Sequence, residues 1–228
     1  MNPKRGQRSG EVDPHADQPV LTAGPTPEKA DATILLVHGR GADAESMLSL
    51  YEELSAKELA AIAPQAAGNT WYPHSFLAPL DANQPYLDSA LGRLNSLVAD
   101  LLARGIPSEQ IVMLGFSQGA CLTLEFVARH PRRYGAVIAL TGGLIGPPGT
   151  PRSYPGSLAG APVFLGTSDP DPHVPFERVK ETEAVLKRMS AEVELRRYPG
   201  MPHTINDDEL DASRKLLKRV TAAKHHKD

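Results

Sequence analysis

The sequence predicts a single α/β domain with a mainly parallel sheet and helices on both of its faces. Two patterns and one absence predict it. Short runs that are apolar on both faces, such as residues 33–37 and 110–116, have the character of strands buried from both sides. Between them lie amphipathic stretches with helical spacing, and buried strands alternating with helices imply parallel pairing with helical crossovers. No internal repeat and no Pro/Gly linker divides the chain, and its 228 residues suit one domain with a substantial core.

In chain order, residues 1–30 are rich in Pro, Gly and charge and read as a flexible tail, with residues 19–22 offering a short edge strand. The domain itself is expected over residues 31–220, followed by a polar tail at 221–228 in which Lys224, His225, His226 and Lys227 read as a solvated end rather than a metal site. Residues 33–37 form the first buried strand. Met47, Leu50, Tyr51 and Leu54 fall on one face of a helix over 44–57. Residues 59–63 form a weaker strand that ends at Pro64. Leu87, Leu91, Leu94, Val98, Leu101 and Leu102 define a helix over 86–104, with Gly105 at its C-cap. Residues 110–116 are a strong buried strand, and the helix over 118–129 stops before His130-Pro131. Two more buried strands follow at 135–140 and 161–166, then a charged helix over 176–190. An alternating edge strand at 193–198 and a last helix over 207–219 complete the order (β)-β-α-β-α-β-α-β-β-α-β-α.

In such sheets the reactive loops lie beyond the carboxyl ends of the strands. The strongest strand ends in Gly115-Phe-Ser117-Gln-Gly119, a G-x-S-x-G pattern set directly between strand and helix. That context is what a nucleophile elbow requires: a sharp turn lifts the serine above the sheet, and the glycines two residues either side avoid collision. A serine hydroxyl needs a base. His203 follows the strand 193–198, past its carboxyl end and therefore on the same edge as Ser117. The other seven histidines sit in tails, at a helix end, in other loops or beside the acid. Asp169 and Asp171 both follow the strand 161–166. Asp171 is preferred because it opens the stretch leading into the next helix, while Asp169 could fix the loop through Asx-type bonds. The order Ser, Asp, His suits acyl transfer, with His203 as base and then acid and Asp171 holding its tautomer. Oxyanion donors are expected from the main-chain N–H of Gln118 and from the loop His38-Gly39-Arg40-Gly41, where the Arg40 N–H is the candidate. Neither phosphate-loop glycine pattern is present.

These segments resemble the phospholipase/carboxylesterase family of α/β-hydrolases, which includes the acyl-protein thioesterases. The resemblance rests on Leu36-Val-His-Gly-Arg-Gly41, Gly115-Phe-Ser-Gln-Gly-Ala120, Asp171-Pro-His-Val-Pro175 and the loop at His203, and spans roughly residues 33–218. It implies an α/β-hydrolase fold, triad roles for Ser117, Asp171 and His203, an oxyanion hole at Arg40 and Gln118, no cofactor, and a chain that can form a homodimer. Arg40 stands where the family usually has an apolar residue and is read as a solvated side chain. Residues 71–74 and 141–144 also depart from the commonest versions. Trp71, Tyr72, His74 and Leu144 are therefore expected to bind substrate. Only residues 141–160 separate two strands where many α/β-hydrolases insert a cap. No cap domain is expected, and the open site should have a rim made by residues 72–86 and 141–158.

Together these readings predict a serine hydrolase for small-molecule esters or thioesters of short to medium acyl chains. The alternatives are a specialised hydrolase of a lactone or pathway intermediate, and a non-catalytic ligand-binding scaffold. A formal charge of -3 gives no electrostatic case for nucleic acid. No run approaches the ~18 apolar residues of a membrane helix, and no signal-peptide core is seen, so a cytoplasmic protein without an integral membrane segment is expected. Cys121 is the sole cysteine, which rules out an intrachain disulfide and any Cys-based zinc site. It reads as a buried core thiol, and no metal site is expected.

Overall fold

The computed structural model describes residues 13–225. Seven strands form one sheet: β1 (Val20–Ala23), β2 (Ala32–Val37), β3 (Leu59–Pro64), β4 (Ile111–Phe116), β5 (Ala136–Leu140), β6 (Pro162–Asp169) and β7 (Glu192–Pro199). Their spatial order is β1-β3-β2-β4-β5-β6-β7. Every pairing is parallel except β1 with β3, which is antiparallel. Among the described residues five α-helices accompany it: α1 (Ala44–Glu53), α2 (Tyr86–Ala103), α3 (Gln118–Arg129), α4 (Phe176–Arg188) and α5 (Asp207–His225).

Alternation along the buried strands explains the layers. Ile34, Leu36, Val112, Leu114 and Ile138 point to one face, where they pack with Met47, Leu50 and Tyr51 of α1 and Leu210, Leu217 and Val220 of α5. Leu35, Val37, Met113, Val137 and Leu165 point to the other, against α2, α3 and α4. Ile111 to Leu114 of β4 are wholly buried, which stabilises the fold by roughly 1.5–3 kcal/mol per side chain. At the far edge β7 exposes alternate residues, with Glu194 and Arg196 paired to one another and Arg196 also paired to Asp208.

Three sequence expectations are corrected. From Asp13 onward the N-terminal segment is packed, not a tail. His15 is fully buried: its main-chain N–H donates to Ser89 Oγ at 2.9 Å, and its ring bridges Ala67 and Trp71. A Pro- and Gly-rich composition hid a segment anchored by His15 together with Asp13, Gln18 and Pro19, and residues 1–12 lie outside the described part. At the other end α5 runs on to His225, past the expected stop at 219, because no Gly or Pro ends it. Its last described turn covers part of the expected polar tail, and His226, Lys227 and Asp228 lie outside the described residues. Finally, α1 stops at Glu53 and not at 57, as Ser55 takes a positive φ of 52°.

Candidate active site

The carboxyl ends of β2, β4, β6 and β7 converge on one cavity of about 500 Å³. Ser117 leaves β4 with φ 53° and ψ −118°, a strained conformation held by its N–H bond to Leu140 O at 2.9 Å. Both flanking glycines are obligatory. A Cβ on Gly115 would lie 2.4 Å from Gly119 O, and one on Gly119 would lie 2.0 Å from Val37 O. Ser117 precedes α3 but does not cap it with its side chain. Its Oγ lies instead 2.8 Å from His203 Nε2.

On the opposite side of that ring, His203 Nδ1 lies 2.7 Å from Asp171 Oδ2. A carboxylate only accepts, so Nδ1 carries the proton and Nε2 is left to accept from the serine hydroxyl. The Asp171 side chain is wholly buried. It accepts from Ser168 Oγ at 2.6 Å and from the N–H groups of His173 and Val174, both at 2.8 Å. Burial pushes its pKa up, but the hydrogen bonds from Ser168, His203, Val174 and His173 outweigh this and hold it below the ordinary aspartate value. Asp169 turns elsewhere and pairs with Arg197 at 2.5 Å. The loop carrying His203 is anchored by a capping box at the start of α5. In it Asn206 N donates to Glu209 Oε2 at 3.0 Å, and Glu209 N donates to Asn206 Oδ1 at 2.9 Å.

The loop after β2 approaches the elbow closely: a Cβ on Gly39 would sit 3.4 Å from Ser117 Cβ. Among the described residues neither the Arg40 nor the Gln118 main-chain N–H is engaged by another group. Gln118 opens α3, whose N-terminal end carries partial positive charge toward the serine. Arg40 is exposed yet not free, which corrects the expectation of a solvated side chain. Its guanidinium donates to Thr70 Oγ1 and to the main-chain oxygens of Tyr72, Pro73 and His74, at 2.6 to 3.0 Å.

Of the four expected substrate-binding residues, Tyr72 and His74 line the cavity and Trp71 and Leu144 do not. Trp71 is fully buried between the rings of His15 and His38 and donates its indole N–H to His38 O at 2.8 Å. It supports the wall from behind. Leu144 is fully buried as well, its N–H engaged by Thr182 Oγ1 and its carbonyl by Arg178. The segment 141–158 is tied down through Arg178, Arg152 and Glu125, so it lines none of the cavity and the expected rim is half right. Pro172, His173 and Val174 take its place. Phe76, Phe116 and Cys121 complete the apolar part of the wall. Cys121 could have been foreseen there, since it lies one helical turn beyond Ser117. Phe76 falls within the expected rim segment 72–86 and Val174 within the motif at Asp171, though neither was singled out as a lining residue.

A seven-stranded, mostly parallel sheet with helices on both faces and a strand–serine–helix elbow at its centre defines an α/β-hydrolase. The chain belongs to the phospholipase/carboxylesterase family, whose profile matches residues 22–221. It is a hydrolase of the carboxylesterase/thioesterase type. It is similar to the crystal structure of a phospholipase/carboxylesterase from Dyadobacter fermentans, at 45% identity and a TM-score of 0.86, covering 92% of this chain and all of that one. Among curated proteins it is similar to acyl-protein thioesterase 1 of Debaryomyces hansenii, 27% identical over 84% of this chain and 92% of that protein. It is also similar to acyl-protein thioesterase 1 of Saccharomyces cerevisiae, 28% identical over 84% of this chain and 94% of that protein.

Proposed function

We propose that the protein hydrolyses carboxylic esters or thioesters of short to medium acyl chains through an acyl-serine intermediate. The observation that carries this is the continuous relay Ser117 Oγ–His203 Nε2 and His203 Nδ1–Asp171 Oδ2, at 2.8 and 2.7 Å, opening onto the cavity. As the Ser117 oxygen attacks the acyl carbonyl, His203 Nε2 takes its proton. Asp171 holds the imidazole in orientation and balances the imidazolium charge. The N–H groups of Arg40 and Gln118 receive the oxyanion. Collapse breaks the bond to the alcohol or thiol, to which His203 returns the proton, and water then cleaves the acyl-serine by the same steps in reverse.

Two features support the chain-length reading. The cavity lies in the range of small-ligand sites, and the short segment that would bear a cap is pinned to α3 and α4. Labelling with a fluorophosphonate tests the reading. Wild type is expected to be labelled, and Ser117→Ala is not. Folded wild type that resists the probe would favour a ligand-binding scaffold. A panel of alkyl esters, thioesters and lactones then gives the leaving group and chain length. Activity that climbs steadily to long-chain triglyceride emulsions, with poor turnover of short esters, would overturn the chain-length proposal.

A further inference from the structure

The two main-chain N–H groups assigned to the oxyanion sit on different segments, the loop after β2 and the first turn of α3. Donors of this kind act only when both point within ~3 Å of one oxygen atom. Strand pairing fixes β2 beside β4, but Arg40 lies three residues beyond the end of β2, in a loop.

The side chains of the same two residues converge on a third segment, Thr70 to His74. Tyr72 O accepts from Arg40 Nη2 at 2.9 Å and from Gln118 Nε2 at 2.8 Å. Thr70 Oγ1 accepts from Arg40 Nη1 at 3.0 Å and from Gln118 Nε2 at 3.2 Å, and its own O–H faces Tyr72 O at 3.0 Å. Gln118 Oε1 accepts the Trp71 N–H at 3.0 Å, which completes the hydrogen bonds of that amide. Main-chain ties reinforce the same template: Gly41 N–H donates to Asn69 O at 2.7 Å, and Ala66 N–H donates to His38 Nε2 at 3.1 Å.

We propose that the shared node at Tyr72 O and Thr70 Oγ1, gripped by the side chains of Arg40 and Gln118, sets the spacing of the oxyanion donors, making both side chains and Thr70 positioning residues. This rests on the acyl-serine reading above. The arrangement couples the cavity wall to the oxyanion site, because Tyr72 and His74 line the cavity while their carbonyls hold Arg40. The donors that the node spaces are fully engaged only when charge builds on the acyl oxygen, so its loss falls mainly on kcat, with a small effect on binding through the wall carbonyls.

The test uses Arg40→Met, Gln118→Met, the double variant and Thr70→Val, with Arg40→Lys as the conservative partner. Fluorophosphonate labelling of wild type comes first and tests the acyl-serine reading by itself. For a short 4-nitrophenyl ester, each single Met variant is expected to lower kcat about ten- to a hundredfold with KM changed less than about threefold. The double variant is expected to lose little more than the worse single one, since both act through one node, and Arg40→Lys recovers part of the rate. Ester binding to these variants in a Ser117→Ala background is expected to stay within about threefold of the parent. Losses that multiply in the double variant, or a lowered melting temperature with kcat unchanged, would overturn the proposal. Should the Met variants fail to fold, Thr70→Val alone decides it, because an unchanged kcat there is incompatible with the node.

Discussion

Replacing His15 with Ala tests whether the N-terminal segment is part of the working domain. His15 Nδ1 accepts the Ala67 N–H and its Nε2 donates to Trp71 O, both at 3.0 Å, inside a wholly buried site. Truncation leaves those two main-chain groups without partners, at roughly 1–3 kcal/mol each. The ring also packs against Trp71 and Tyr86, at centroid distances of 5.4 and 5.9 Å. A total loss of about 3–5 kcal/mol follows, and at roughly 2–4 °C per kcal/mol for a domain of this size the melting temperature should fall by about 10 °C. Burial holds the His15 and His38 pKa values below the ordinary imidazole value. A depressed folded value means that the unfolded chain takes up the proton first. The stability is therefore complete above about pH 6.5 and is lost as pH falls through the folded values. Calorimetry of wild type and His15→Ala between pH 5 and 8 reads both effects. A melting temperature within about 2 °C of wild type at pH 7.5, with an equal acid slope, would refute the claim that this residue anchors the segment.

Other perturbations give equally definite outcomes. Gly119→Ala puts a Cβ 2.0 Å from Val37 O, so urea denaturation should show a loss of about 3 kcal/mol or more, whereas Gly92→Ala, in open space on α2, should raise stability by about 0.5–1 kcal/mol. Burial pushes Glu209 up to about 7 and Asp208 adds to this, while the Asn206 N–H opposes it. Its folded value stands above the unfolded one, so its contribution to stability is lost as pH rises through about 7. Thermal melts at pH 6 and 8 should show wild type losing stability across that interval, and Glu209→Gln should flatten the change. The Cys121 thiol is pushed up to about 12 by burial, so alkylation of the folded protein at pH 8, followed by mass spectrometry, should be negligible until denaturant is added.

The fold was readable because each buried strand is a short apolar run and the helices, apart from the fully buried α3, bury a one-sided stripe. Both patterns survive without any knowledge of neighbours. That Ser117 and His203 meet at one edge was readable for a different reason, since each follows a strand and the parallel order places those ends together. Whether Asp169 or Asp171 meets His203 depends on loop geometry, and the pairing of Asp169 with Arg197 leaves no trace in local sequence. Trp71 was placed in the wall because its loop reaches it, yet adjacent residues of one loop face opposite ways, and Leu144 was misplaced because its whole segment is held away from the cavity by distant side chains. Arg40 was misjudged because its four acceptors lie thirty or more residues away along the chain.

The two edges of the sheet constrain how copies of this protein can meet. An open strand edge is a template for aggregation unless it is short, charged or covered. β1 offers only four residues, and β7 carries Glu192, Glu194, Arg196 and Arg197, with Arg219 of α5 reaching across to Glu192. Extending the sheet through β7 would have to seat these charged pairs in the new seam. A homodimer of this chain is therefore expected to join through helix or loop faces, and refolding at high protein concentration should be little troubled by strand exchange at either end.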